Sequence, residues 1–124
     1  MNAFNMAKTA YTSSTTPIRS PRDIEYDAFA RITHRLKSFL TDNKNYSALV
    51  AALHENTKLW TILAADVSDK NNTLPDVLRG RIFYLFEFTT QHTRKVLRND
   101  ASVDVLVDIN TAIMRGLRSK ADVA

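Results

Sequence analysis

The sequence predicts an all-α protein: a small bundle of about four helices behind an extended, flexible N-terminal arm. The 124 residues include two glycines and three prolines, too few for the turns of a chain built from many short strands. From Ile24 onward, apolar residues recur at intervals of three and four, which is the spacing of helices that face a core. The length supports one domain with a modest core, and the apolar fraction of 44% is ordinary for a folded protein.

The first 19 residues have no helical period and form the predicted arm. They contain a Ser/Thr run, Thr12 to Thr16, that is followed by a proline, a composition typical of extended or flexible chain. Lys8, Arg19 and Arg22 give a charge of +3 before the first acidic residue, so the rest of the chain carries +1 of the total of +4. A basic arm therefore precedes a nearly neutral domain.

Two helices are predicted in the first half of the domain. The first begins at Ser20-Pro21-Arg22-Asp23, since serine caps a helix, proline fits its first position and aspartate favours its first turn. It ends at the polar run from Asp42 to Asn45, and the second runs from Tyr46 or Ser47 to about Val67. The residues expected to face the core are Ile24 or Ala28, Phe29, Ile32, Leu36, Phe39 and Leu40 on the first helix, and Leu49, Val50, Leu53, Trp60, Leu63, Ala64 and Val67 on the second.

The stretch GRIFYLFEFTTQHTRK, residues 80–95, is interpreted as the middle of a third helix. A strand is plausible from its aromatic and β-branched content, but no turn residue follows before Asn99, and the apolar pattern continues with a helical period. Pro75 is expected to open this helix, which runs to about Asn99. Its core face is predicted to be Leu78, Ile82, Leu85, Phe86, Thr89, Thr93 and Val96.

A fourth helix is predicted from about Ser102 to Arg115 or Leu117, with Gly116 suited to a C-terminal stop. The helical domain is accordingly expected to span residues 20–118, between the arm at 1–19 and a short C-terminal tail at 119–124. The inward residues of the fourth helix are expected to be Val103, Leu106, Val107, Ile113, Met114 and Leu117.

The third helix carries more apolar residues than one core face needs. Val77, Tyr84 and Phe88 form a second stripe, and Phe83 points in a third direction. Such a helix is either surrounded by its own domain or partly covered by a partner. We hypothesise the second arrangement for Tyr84 and Phe88, which are then at least partly exposed, because exposed aromatic patches mark interfaces.

A groove wall on the second helix belongs to the same hypothesis. Leu59 and Ile62 widen the apolar sector beyond Trp60, and we expect them to form one wall of a binding groove. The two aromatic residues of the third helix form another wall, and Tyr11 of the arm is a further contact. Ordinary packing between helices is the alternative for each residue. Trp60 itself is predicted to lie in the core, because the rest of its face is aliphatic.

Catalytic and metal-binding patterns are not found in the sequence. His54-Glu55 begins like the zinc motif H-E-x-x-H, but position 58 is a lysine rather than the second histidine. The chain has no cysteine and no glycine-rich phosphate loop, and its serines and threonines show no base beside them. We therefore expect neither an enzyme nor a bound cofactor or metal.

Two further alternatives concern the third helix. Gly80 costs a helix interior about 1 kcal/mol relative to alanine, and it either permits a close helix crossing or is tolerated slack. Basic residues form either a phosphate-contacting edge or a solvated face, and the interleaved acidic residues favour the solvated face. These basic residues are Arg79, Arg81, Arg94, Lys95 and Arg98.

The sequence predicts a cytoplasmic protein without membrane insertion. It contains no apolar run of about 20 residues, the length that a membrane-spanning helix needs. The N-terminal segment also lacks the continuous apolar core of a signal peptide.

Several stretches, taken in order, carry a family resemblance. They are Leu59-Trp60-Thr61-Ile62-Leu63 with Asp66, then Asn72-Thr73-Leu74-Pro75-Asp76-Val77-Leu78-Arg79, then Leu106-Val107-Asp108-Ile109-Asn110 with Ile113-Met114-Arg115-Gly116-Leu117, and in the arm Met1-Asn2-Ala3 and Ala10-Tyr11. Together they resemble the FlaF family of flagellar biosynthesis regulators of alphaproteobacteria over nearly the whole chain.

The resemblance implies a function. Proteins of this family are needed for flagellin to be made and exported, which implies a flagellin-binding chaperone and regulator that acts alongside a second regulator, FlbT, without a cofactor or catalytic residues. An RNA-binding post-transcriptional regulator of flagellin expression is the alternative. An RNA binder needs stacking aromatic residues beside a basic surface. Because aromatic and basic residues do not clearly alternate here, the protein-binding function is favoured.

Overall fold

The four helices predicted from the sequence are present. A computed structural model of the protein describes residues 21–42 and 44–123, with side chains described for residues 26–42 and 44–116. This part of the chain contains no strand, so the all-α fold class is confirmed. The predicted arm, residues 1–19, lies outside the described residues. The helices are α1, Pro21–Thr41; α2, Tyr46–Ser68; α3, Asp76–Leu97; and α4, Asp104–Val123.

The helices pack in the order α4, α1, α2, α3. α1 packs against both α4 and α2, and α2 packs against α3, whereas α3 and α4 touch far less. α1 and α2 are antiparallel, since Phe29 meets Trp60 while Arg35, further along α1, pairs with Glu55, which lies earlier in α2. α3 is therefore an outer helix with a single close neighbour, and much of its surface is not covered by another helix.

Arg79 joins the beginning of α3 to the end of α2. Its Nε–H donates to the carbonyl oxygen of Val67 at 2.7 Å, and its Nη2 donates to the carbonyl oxygen of Asp69 at 3.0 Å. A helix leaves its last carbonyls unpaired, and a cation is favourable there. At the opposite end of these two helices, the hydroxyl of Tyr46, the first residue of α2, donates to the carbonyl of Leu97, the last residue of α3, at 3.1 Å. α2 and α3 are therefore antiparallel. Arg79 is a structural residue rather than part of a solvated or phosphate-contacting edge.

The helix ends follow the predicted bounds closely for α1, α2 and α3. At the start of α2, the Asn45 side-chain oxygen accepts the N–H of Ala48 at 3.1 Å, which satisfies one of the free donors of the first turn. α3 ends at Leu97, and Asn99, two residues further on, has a positive φ of 66°. The N–H of Asp100 then returns to the carbonyl of Lys95 at 2.8 Å, which is the hydrogen bond of a Schellman-type helix end.

α4 is longer than predicted. It continues through Gly116 to Val123, so the predicted stop at Gly116 is wrong. A glycine ends a helix by taking a positive φ, and no glycine does so in the part of the chain that the structure describes. The residues after Gly116 are helical as far as Val123 and include most of the predicted tail.

The core confirms most of the predicted inward residues. Trp60 is only 1% exposed and meets Phe29 edge-on, with ring centroids 5.6 Å apart and an interplanar angle of 81°, an arrangement that aromatic pairs prefer. Leu40 and Val50 were predicted to face the core but are 49% and 39% exposed. The buried apolar residues are Phe29, Ile32, Leu36, Leu49, Ala52, Leu53, Leu59, Trp60, Leu63, Ala64, Val67, Ile82, Val96, Val103, Leu106 and Val107, and those packed partly buried against them include Phe39, Leu78, Leu85, Phe86, Ile113 and Met114.

Two hydrogen bonds run through the core between α2 and α4. Trp60 Nε1–H donates to Oδ1 of Asn110 at 2.9 Å, and Nδ2 of Asn110 donates to Oδ1 of Asn56 at 2.8 Å. Both asparagines are fully buried. Among the described side chains, Nδ2 of Asn56 and the hydroxyl of Thr33 are buried without a partner. Since a buried amide is costly unless it is hydrogen-bonded, this polar network of Asn56, Trp60 and Asn110 fixes α4 in one position against α2.

Candidate protein-binding surface

α3 presents a row of large apolar side chains to solvent. Val77, Phe83, Tyr84 and Phe88 are all exposed, Val77 by 74% and Tyr84 by 65%. The opposite side of the same helix is used in the core, where Ile82, Thr89, Thr93 and Val96 are buried. The prediction that Tyr84 and Phe88 are at least partly exposed is confirmed, and the alternative of a helix surrounded by its own domain is wrong. We call Val77, Tyr84 and Phe88, which follow one side of the helix, the aromatic face; Phe83 is exposed on another side.

Two of the exposed rings of α3 are held in place by neighbours. Phe88 stacks on His92 with centroids 5.7 Å apart and planes inclined by 15°. Nε2 of His92 lies 2.8 Å from the carbonyl oxygen of Ser102, and because a carbonyl only accepts, this nitrogen carries the proton. The ring of Phe83 packs against that of the partly buried Phe86, with ring centroids 5.7 Å apart. The face is therefore partly ordered before any partner arrives.

The predicted groove wall on α2 is not formed at the surface. Leu59 is only 6% exposed and belongs to the core, while Ile62 is half-buried. The reason is that α2 is packed by α1 and α3 on different sides, so the apolar sector beyond Trp60 is used inside the domain. Tyr11 lies outside the described residues. Of the five predicted contacts, the structure brings Tyr84 and Phe88 together on one face.

The carboxyl of Asp66, near the end of α2, has a raised pKa. Burial raises the pKa of its carboxyl above the ordinary value, and the neighbouring carboxylate of Asp69 raises that pKa further. A raised pKa in the folded state means that Asp66 contributes stability below its unfolded pKa and loses that contribution as the pH rises through the folded one. Asp66 lies in the last turn of α2 and not on the aromatic face.

Gly80 lies on α3 between Val77 and Tyr84. A Cβ atom built on Gly80 would meet nothing within 4 Å, so this glycine does not permit a close crossing between helices of the domain. The two alternatives for Gly80 were a close helix crossing and a glycine that the helix merely tolerates, and the fold supports the second.

Gly80→Ala is expected to raise the free energy of unfolding by about 0.5–1 kcal/mol, because alanine loses less backbone entropy in a helix and meets no neighbour here. Urea denaturation followed by circular dichroism measures the change. Gly116→Ala is the matched comparison: its Cβ also points into open space inside a helix, so a similar gain is expected. A Gly80→Ala variant less stable than the parent would show that the space beside Gly80 is filled.

A second apolar surface, which the sequence did not reveal, lies where the ends of α1 and α3 meet the start of α2. It is a cleft of ≈ 200 Å³. Two exposed apolar residues, Leu40 and Tyr46, line it, and two others, Val50 and Leu97, are next to lining residues in the sequence. Its lining comes from four separate segments, so no local sequence pattern marks it. The lining residues are Phe39, Leu40, Tyr46, Leu49, Val96, Asn99, Ala101, Ser102 and Val103.

A metal site and a membrane-spanning helix are both absent from the described residues. No group of three or more histidine and acidic side chains there is placed to hold a metal ion. No helix in the same residues combines the length and the hydropathy that crossing a membrane requires.

The fold and its surfaces define a small all-α domain whose most distinctive exposed feature is an aromatic helix face. The family model of the flagellar protein FlaF matches residues 7–117, which is most of the chain, and the protein therefore belongs to the FlaF family. This match confirms the resemblance of the family-like stretches, and the family is one of flagellar proteins. No curated protein and no solved structure matches the chain significantly.

Proposed function

We propose that this protein is a cytoplasmic chaperone and regulator that binds flagellin during flagellum assembly, and that flagellin binds to the aromatic face of α3. The observation that carries the proposal is the exposure of four large apolar side chains on one helix of a domain that already has a complete core. Membership of the flagellar FlaF family supports the choice of partner. No catalytic step is part of the proposal.

The geometry of the aromatic face suits a helical partner. Val77, Tyr84 and Phe88 are seven and four residues apart, so they follow one side of α3 over about 16 Å at 1.5 Å per residue. An amphipathic helix presents apolar residues at the same spacing and packs along such a row. The terminal segments of flagellin are amphipathic and lack their helical partners before assembly. A chaperone that covers their apolar stripes keeps them from aggregating until export.

Preorganisation favours binding at this face. The ring of Phe88 is stacked on His92, which is itself hydrogen-bonded to the α3–α4 connection. A side chain that is already ordered loses less entropy when a partner covers it. Phe88 is therefore expected to be the strongest single anchor of the face, with Tyr84 beside it one turn away.

The double variant Tyr84→Ala/Phe88→Ala is expected to bind flagellin about 30-fold more weakly, the factor that corresponds to a loss of about 2 kcal/mol on truncating an anchor. Its helical circular dichroism and melting temperature should stay those of the parent, because both rings are exposed. Isothermal titration with the flagellin of the same organism measures the affinity. Binding should depend weakly on salt, since apolar contact rather than counterion release drives it.

The control is Glu87→Ala/Arg94→Ala, two exposed charged residues that lie on the same helix but off the line of Val77, Tyr84 and Phe88, and its affinity should match that of the parent. Equal binding by the double aromatic variant and the parent would refute the assignment of the aromatic face. An unfolded double variant would show that the two rings stabilise the core.

FlbT is proposed as a second partner, as the family resemblance implies. The same titration with FlbT in place of flagellin tests it. If the two bind to the aromatic face, the double aromatic variant loses both, and if FlbT binds elsewhere, the variant keeps FlbT alone.

The alternative function is an RNA-binding regulator of flagellin expression. Two of the basic residues around α3 are engaged within the protein: Arg79 donates to carbonyls at the end of α2, and Arg98 pairs with Asp100 at 3.5 Å. This leaves less of a free phosphate-contacting edge and supports the protein-binding function. An RNA complex would lose affinity steeply between low and high salt, so titration with the leader of the flagellin transcript at two salt concentrations separates the functions.

A further inference from the structure

We infer that the cleft at the end of the bundle is a second docking site, which receives a large apolar side chain from an acidic amphipathic segment of a partner protein. The cleft has a volume of ≈ 200 Å³. Small-molecule pockets are larger, about 300–1,000 Å³, whereas a space of this size suits one anchoring side chain. The site is separate from the aromatic face, because none of its lining residues belongs to that face.

The cleft is preformed. The Tyr46 hydroxyl donates to the carbonyl of Leu97 at 3.1 Å and closes the last turn of α3 over one side. On another side, Asn99 holds the positive φ of 66° that turns the chain from α3 toward α4. Leu49, Val96 and Val103 supply buried apolar lining. Since no helix has to move to open the space, a partner side chain meets a low ordering cost.

The charge around the cleft selects the partner. Lys37, Lys44 and Lys95 are exposed, lie three or fewer residues from lining residues in sequence, and form no ion pair within the part of the chain that the structure describes. Three exposed acidic residues, Asp42, Asp100 and Asp104, lie as close to the lining in the sequence, and so do the basic residues Arg94 and Arg98. Five basic and three acidic residues therefore leave the rim a net charge of +2, and charge complementarity favours acidic residues beside the apolar anchor.

The same charge disfavours two other occupants. The N-terminal arm carries Lys8 and Arg19 and no acidic residue, so the rim repels it. A second copy docked symmetrically would bring two positive rims together. An acidic partner segment has neither disadvantage.

The test uses the full chain and a designed peptide of about 15 residues, long enough to form a helix on binding, with one phenylalanine flanked by glutamates at helical spacing. NMR titration should shift the amides of Leu40, Tyr46, Ala101 and Ser102 and leave those around Tyr84 unchanged. Lys37→Glu/Lys44→Glu should weaken binding about tenfold, and Leu40→Ala about fivefold, with unchanged melting temperatures. Lys70→Glu, an exposed charge reversal in the α2–α3 turn, is the matched control and should leave the affinity unchanged.

Four outcomes would overturn the inference. The first is equal binding by a peptide with lysines in place of the glutamates, and the second is a peptide that shifts only the amides of the aromatic face. Shifts at the cleft that follow protein concentration would show a second copy there instead. Because the chain has no cysteine, a spin label on Ala3→Cys gives the fourth: broadening of the cleft amides in the free protein would show that the arm occupies the cleft. None of these outcomes bears on flagellin binding to the aromatic face.

Discussion

Trp60→Ala is expected to lower the free energy of unfolding by about 3–5 kcal/mol, a large share of the total for a domain of this size. The indole is 1% exposed and touches Phe29 edge-on, so its removal leaves a cavity in the middle of the core. It also removes the hydrogen bond to Asn110. Thermal and urea denaturation followed by circular dichroism measure the loss.

Trp60→Phe is the control for the ring, because it keeps an aromatic side chain against Phe29 and loses the indole N–H. It should cost less than Trp60→Ala, by the part that comes from lost volume. If Trp60→Ala melts like the parent and fails to bind flagellin, the indole is a binding residue rather than a core residue.

Asn110→Ala is expected to cost about 2–4 kcal/mol, although asparagine is polar and the replacement is apolar. Asn110 accepts from Trp60 and donates to Asn56, and all three side chains are buried. Its loss leaves the indole N–H and the Asn56 oxygen without their partners, and each unpaired buried group costs about 1–3 kcal/mol. Asp108→Ala, an exposed change on the same helix, is the control and should have little effect on the melt.

A double-mutant cycle isolates the central hydrogen bond of the polar network. Trp60→Phe removes the donor and Asn110→Ala the acceptor, so the combined variant should be more stable than the sum of the single losses predicts, by about 0.5–3 kcal/mol. Strictly additive losses would show that the two side chains do not interact in solution.

The helices and most core residues were predictable because a helix has one period and burial follows it. Leu49, Leu53 and Trp60 recur along α2 at helical spacing, and all are buried. Leu40 and Val50 fit the same period and are exposed, because the period contains no information on where the neighbouring helix ends. Gly116 was misjudged for a related reason: the φ of a glycine depends on whether the following residues continue the helix.

The surfaces were predictable only in part. Tyr84 and Phe88 stood out because α3 has more apolar residues than one core face can use, and this surplus can be counted along the chain. Leu59 was misplaced because a helical wheel does not show how many neighbours a helix has. Asn56 and Asn110 are separated by 54 residues, and a polar residue at an inward position gives no sign that its partner is another one.

The cleft could not be derived from the sequence at all. Its walls come from the end of α1, the start of α2, the end of α3 and the connection to α4. Each segment contributes one to four side chains, and no short window contains the whole pattern. Only the packing order of the helices brings Phe39, Tyr46 and Val103 into one site.

The burial of Trp60 also gives this protein a natural set of optical and magnetic reporters. Trp60 is the single tryptophan of the chain, and its indole lies in the core, so its fluorescence wavelength reports whether the domain is intact. Neither surface contains a tryptophan, but each has its own tyrosine, Tyr84 on the aromatic face and Tyr46 at the cleft. Fluorine-labelled tyrosine would give each surface its own resonance, while tryptophan emission follows folding in the same sample.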